Sequence, residues 1–208
     1  MRTWKHWFRT GSCCNRDLVS STSTAGRRSK IWHGTQVREN SKIGSDSIIG
    51  SNAYIDHDVS IGNSCKIQND AQIYFPAKLE DGVFIGPGVI LTNDRFPRAV
   101  TPEGAPKKGT DWDPVGVTVK YGASIGAGAV CVAPLTIGAW AMVGAGSLVT
   151  SDVLPFALVV GAPARQVGWV GRSGHRLTPT DSGGLVCPQT GDYYEVSEGL
   201  LVPVGGRK

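Results

Sequence analysis

The sequence predicts an all-β solenoid, a parallel β-helix wound in flat-sided coils, and three observations carry that expectation. From Ile31 an aliphatic residue recurs at every sixth position, eleven times without a miss: Ile31, Val37, Ile43, Ile49, Ile55, Ile61, Ile67, Ile73, Leu79, Ile85 and Leu91. Four places after each stands a small or slim residue: Thr35, Ser41, Ser47, Ala53, Val59, Cys65, Ala71, Ala77, Val83 and Val89. The beat then returns as Val119, Ile125, Cys131, Ile137, Val143 and Val149, with Ala123, Ala129, Leu135, Ala141, Ser147 and Val153 as its second set. A period of six fits neither the turn of an α-helix, about 3.6 residues, nor the plain alternation of a flat sheet. It fits short strands that each point one large and one small side chain at a common axis, with a corner between them.

Glycine follows the large residue at Gly44, Gly50, Gly62, Gly86, Gly126, Gly138 and Gly144. It is expected there because a corner tolerates positive φ best at glycine. Three hexads close one triangular coil of 18 residues, so the two runs supply about six coils. Each coil buries its inner face against its neighbours, and the chain ends need caps.

The step from Leu91 to Val119 is 28 residues, which is not a multiple of six, so a loop over residues 94–118 interrupts the beat. It holds Pro97, Pro102, Pro106 and Pro114 among Arg95, Arg98, Glu103, Lys107, Lys108, Asp111 and Asp113. A solenoid wall has few concavities, and a long loop thrown from it is a candidate wall of a site; a plain surface insertion is the competing reading. The expected layout is a basic, disordered N-terminal extension over residues 1–30, a β-helix over 31–170, and a small β-hairpin extension over 171–208 that carries Tyr193, Tyr194 and Val196.

The net charge of +4 resolves into +6 on residues 1–30, from seven Lys or Arg against Asp17, and therefore −2 on the rest. No basic stripe follows the repeats, which argues against nucleic acid. No apolar stretch is long enough to span a membrane. The N-terminal extension also resembles a transit peptide or a surface-seeking segment, with Trp4, Trp7 and Phe8 at helical spacing. Cys65 and Cys131 fall in inward slots as small core residues, while Cys13 and Cys14 lie in the extension. Cys187 opens Cys-Pro-Gln-Thr-Gly, half of a zinc ribbon without a second pair, so no metal site is expected. A reducing, cytoplasmic setting fits five cysteines without a disulfide framework.

The hexad pattern resembles the left-handed parallel β-helix family of hexapeptide-repeat acyltransferases. Ile31-Trp32-His33, Ile67-Gln68-Asn69 with Tyr74, and Leu79 to Pro87 running into Thr92-Asn93-Asp94 and Pro97-Arg98-Ala99 narrow the likeness. In this order they resemble N-acetyltransferases that acylate a 3-amino group on nucleotide-linked sugars for O-antigen, S-layer and related surface glycans. Gly161-Ala162-Pro163-Ala164-Arg165 resembles the segment that closes many members of the family. The resemblance implies acetyl-CoA as co-substrate, a homotrimer, and loops that reach an adjacent subunit.

It implies further that Asn93 hydrogen-bonds the reacting amine or the adjacent sugar, a turn-forming role being the alternative. His33, Gln68, Asn69, Tyr74 and Arg98 would serve the acceptor sugar. Ser124, Gly126, Gly144 and Arg165 would serve the coenzyme. A neutral amine attacking a thioester needs positioning and polar stabilisation more than a strong base. His33 and His57 stand a coil plus a hexad apart, so they belong on different faces, and His57 reads as surface. Gly34 and Asp70 depart from the family's usual residues. Three alternatives stay open: an O-acetyltransferase of the same fold, a non-catalytic scaffold, and a γ-type carbonic anhydrase, which would need three converging histidines.

Overall fold

The computed structural model describes residues 19–181 and 183–204. The described chain carries no α-helix; it winds as a parallel β-helix, in the left-handed sense. The first face stacks Thr24–Ala25, Lys42–Ile43, Ser60–Ile61, Lys78–Leu79, Val117–Val119 and Leu135–Ile137. The second face stacks Lys30–Ile31, Ile48–Ile49, Lys66–Ile67, Phe84–Ile85, Ser124–Ile125, Met142–Val143 and Ala157–Val160. The third stacks Gln36–Val37, Tyr54–Ile55, Gln72–Ile73, Ile90–Leu91, Val130–Cys131 and Leu148–Val149. Six complete coils result, with a partial turn at each end, about eight turns in all.

Both inward sets are buried throughout: Ile49, Ile55, Ile67, Ile73, Ile85, Leu91 and Ile125 are wholly enclosed, and Cys65 and Cys131 stand among them. Burial pushes the Cys131 thiol up to about 12. Each enclosed aliphatic side chain contributes about 2 kcal/mol by leaving water, and the stack forms one continuous core. In the early coils the small inward slot holds a hydroxyl. Ser29 donates to the Gly44 carbonyl (2.7 Å), Thr35 to that of Gly50 (2.8 Å) and Ser47 to that of Gly62 (3.0 Å). Such a hydroxyl is tolerated in the core because the next coil's corner offers an acceptor.

Three expectations need correction. The solenoid begins before residue 31: Thr24–Ala25 pairs with Lys42–Ile43, and Val19 bridges to Val37. Of the N-terminal extension, residues 1–18 lie outside the described residues. The glycines after the large residue are not where the backbone turns left-handed. That conformation falls two places later, at Asn40, Asp46, Asn52, Asp58, Ser64 and Asp70, and at Gly82, Gly88, Gly122 and Gly128. Gly44 is glycine for a different reason: a Cβ there would stand 2.4 Å from the Gly62 carbonyl oxygen of the next coil. The C-terminal extension is larger than a hairpin. Thr178–Pro179, Leu185–Val186, Tyr193–Ser197 and Leu200–Pro203 form a four-stranded antiparallel sheet, cored by Phe156, Leu177, Cys187, Tyr194 and Leu201.

The inserted loop spans residues 94–116, since Val117 and Thr118 already belong to the first face. Leu79 pairs with Ile61 in the coil before it and with Val119 in the coil beyond the loop, so the insertion leaves the register undisturbed. Past Leu148–Val149 the last turn falls short of a full coil, because Val143 pairs with Val159 rather than with Gly161. The segment 161–164 then turns the chain into Arg165–Trp169, which runs antiparallel along Ala157–Val160.

Candidate active site

The corner between the third and first faces is where the loop leaves. Because the coils stay in register, its residues form rows along the axis at about 4.8 Å per coil. The first row reads Arg38, Asp56, Tyr74, Thr92, Val132 and Thr150; the second reads Glu39, His57, Phe75, Asn93, Ala133 and Ser151.

Asn93 is half-buried, and its carbonyl accepts from Val115 N–H at 3.0 Å, which closes the loop's two ends. The Thr92 hydroxyl accepts from Ala133 N–H at 3.0 Å. The main chain and the threonine therefore shape this corner. The Asn93 carboxamide makes no hydrogen bond to another described residue.

Below Asn93 lies a fixed cluster. Asp56, 7% exposed, accepts from the Tyr54 hydroxyl (3.0 Å) and His57 N–H (2.8 Å) through Oδ1, and from Phe75 N–H (3.2 Å) through Oδ2. Arg38 donates to Glu39 and reaches Asp56 at 3.4 Å. The hydrogen bond from Arg38 holds the Glu39 carboxyl below its ordinary range; burial, and Asp56 beside it, raise the Tyr54 phenol. The His57 ring stacks on Phe75 with centroids 4.5 Å apart, and its Nδ1 lies 2.8 Å from Asp58 Oδ2. Tyr74 leans on Tyr54 at 5.5 Å.

Tyr74, Asn93 and Arg98 thus belong to one corner, with the Arg98 guanidinium on the loop donating to the Pro97 carbonyl (3.2 Å). His33, Gln68 and Asn69 lie on the next corner, between the second and third faces. Asn69 is partly spent there, its Oδ1 accepting from Ser51 N–H at 3.0 Å. The width of the third face, one hexad or roughly 15 Å, separates the two groups.

The coenzyme candidates divide in the same way. Ser124 faces out from the second face, and Gly126 and Gly144 sit on the second–third corner. Their glycine identity follows from coil packing, since a Cβ on Gly126 would meet Ala145 N at 2.5 Å. Arg165 is elsewhere: it lines a cleft of about 560 Å³ with Thr150, Ser151, Asp152 and Gln166. Thr150 and Ser151 continue the rows of Thr92 and Asn93, two coils on, about 10 Å along the same corner.

Sequence reasoning missed Arg38, Tyr54, Asp56 and Phe75, and set His57 aside as surface. The signal was present, because Arg38, Asp56 and Tyr74 precede Thr92 at steps of one coil, as His57 and Phe75 precede Asn93. His33 and His57 do lie on different corners, as their spacing implies. Among the described residues, no three of His, Cys, Asp and Glu converge to hold a metal ion.

Residues 40–74 match the family described as the hexapeptide repeat of succinyl-transferase. With its hexads, three parallel sheets and triangular coils, the chain has the left-handed β-helix fold. It is 47% identical over 83 residues to the dTDP-3-amino-3,6-dideoxy-α-D-galactopyranose 3-N-acetyltransferase of Aneurinibacillus thermoaerophilus, covering 40% of this chain and 42% of that one. It is 36% identical over 88 residues to the serine acetyltransferase of Escherichia coli K12, 42% of this chain and 31% of that one. The chain therefore spans less than half the length of these curated relatives. A hexapeptide-repeat acetyltransferase of Vibrio cholerae, solved with acetyl coenzyme A, shares the fold at a TM-score of 0.50 and 21% identity, over 74% of this chain and 73% of that one.

Proposed function

We propose that this protein is an acetyl-CoA-dependent N-acetyltransferase whose acceptor is the 3-amino group of a nucleotide-linked sugar. The observation that carries the reading is Asn93, whose uncommitted carboxamide stands where the loop leaves the solenoid. The similarity to an enzyme of that activity supports it. On this reading the Asn93 side chain accepts from and orients the neutral amine as it attacks the thioester carbonyl, and the proton leaves with the departing sulfur or through water. The coenzyme follows the third–first corner from Asn93 to the cleft, where the Arg165 guanidinium suits a phosphate.

A homotrimer belongs to the same reading. The outward residues of the first face are Thr24, Lys42, Ser60, Lys78, Thr118 and Thr136, whereas Ile48, Phe84, Met142 and Leu158 project from the second. Ile90, Val130 and Leu148 project from the third. Lys30, Lys66 and Ser124 also project from the second face, and Gln36, Tyr54 and Gln72 from the third. In the later coils, however, both faces carry apolar outer residues suited to burial against other copies. Packing those faces together also offers a way for His33, Gln68 and Asn69 of one copy to meet the Asn93 corner of another. A cytoplasmic place in surface-glycan assembly follows from the acceptor class.

The test is thiol release from acetyl-CoA against UDP- and dTDP-linked 3-amino sugars. Turnover is expected, and Asn93→Ala should lower kcat/KM about 100-fold with fold and sedimentation unchanged. No turnover on any acceptor by the assembled protein would sink the reading.

One observation favours a second reading, a hydroxyl acceptor. His57 is oriented by Asp58 and lies in line with Asn93, an arrangement suited to a general base. Transfer to hydroxyl acceptors, lost in His57→Gln with fold and sedimentation unchanged, would establish that alternative.

A further inference from the structure

The loop after Asn93 exposes Phe96 more than any other large apolar side chain among the described residues, at 73%. Its place is fixed. Asp94 Oδ1 accepts from Phe96 N–H at 2.8 Å, and the following chain folds on itself, with Lys107 N–H bonded to the Ala99 carbonyl (3.0 Å) and Val100 bridged to Pro106. The Arg95 guanidinium lies over the Phe96 ring, 5.3 Å from its centroid. Neither Arg95 nor Arg98 is in an ion pair among the described residues, whereas Arg28, Arg38 and Lys120 all have carboxylate partners.

A solvent-facing ring on an anchored backbone, flanked by guanidiniums without a carboxylate partner among the described residues, is matched to a flat aromatic ligand that carries phosphate. Phe96 is three residues from Asn93, at most about 10 Å of chain, and side-chain reach adds to that. One extended ligand can therefore touch both.

We propose that Phe96, backed by Arg95, is the stacking platform for the base of a nucleoside-diphosphate ligand, with Arg98 on its diphosphate. This rests on the nucleotide-sugar reading of the site. Stacking engages the face of a base rather than its hydrogen-bonding edge, so the platform does not distinguish uracil from thymine.

The experiment is calorimetric binding of UDP and of dTDP to the intact protein. The parent should bind both within about threefold of each other, Phe96→Ala should weaken both about tenfold or more, and Phe96→Tyr should restore them. Failure of the parent to bind either nucleotide, or equal binding by Phe96→Ala, overturns the proposal. So does a Phe96→Ala protein that keeps its affinity but sediments at a lower mass, which would make the ring a contact between copies. If binding depends on Phe96 yet no acetyl group reaches any 3-amino sugar nucleotide, the platform stands and the N-acetyltransferase reading fails.

Discussion

Ser147 shows how finely the inward hydroxyls depend on their surroundings. Ser29, Thr35 and Ser47 each donate to a corner carbonyl of the following coil, but Ser147 stands in the last complete coil, beyond which the chain has shortened and turned. Its hydroxyl is buried without a partner among the described residues. An unsatisfied buried hydroxyl costs about 1 kcal/mol or more. Ser147→Ala should therefore raise the unfolding free energy by about 1 kcal/mol in denaturant titration, whereas Thr35→Ala should lower it by a similar amount. A loss of stability in Ser147→Ala would show that the hydroxyl has an acceptor after all.

Among the elements, the third–first corner depends on one carboxylate. Asp56 gathers the Tyr54 hydroxyl and the N–H groups of His57 and Phe75, and so ties two successive coils together where the aromatic rows stack. Removing it strands three part-buried donors, and Asp56→Ala should cost about 2 kcal/mol in chemical unfolding. Asp56→Asn keeps an acceptor and should cost less. The corner also marks where sequence reading runs out. Period and spacing reveal which residues point inward, because the requirement repeats in every coil. They do not reveal why Gly44 is glycine, since the left-handed turn and the close approach of coils fall at different places in one short corner. One-coil spacing puts Asp56 and His57 in the rows that lead to Thr92 and Asn93, but it does not reveal the contacts they make with the next coil.

On the scale of the whole molecule, scaffold and loop are separable. Deleting residues 94–115 would join Asn93 to Gly116 and leave Leu91-Thr92-Asn93-Gly116-Val117-Thr118-Val119, an unbroken hexad with glycine at the left-handed position. The deletion variant should keep the parent's β-sheet circular dichroism and unfold within a few degrees of it, since solenoid stability sums over neighbouring coils. It should lose nucleotide binding and acetyl transfer although Asn93 remains. A variant that fails to fold would show that the loop supports the coils. The fold was legible because eleven aliphatic residues at one period admit one architecture. The candidate site was only half legible: the break in period pointed to Asn93 and Arg98, and the resemblance to Tyr74, while the placing of His33, Gln68 and Asn69 on another corner is a property of three-dimensional winding.

The reversal of the chain after Val160 has a consequence of another kind. A stack of parallel coils is an open template, and a bare terminal coil can recruit the end of another molecule and grow into a filament. Here each face is closed differently. Arg165–Trp169 lies on the second face with the wrong polarity for a parallel ladder, Gly161 and Ala164 take up the backbone of Leu148 on the third, and Val153 does the same beside Ile137 on the first. The same short turn that carries Arg165 to its cleft thereby ends polymer growth at this end of the molecule.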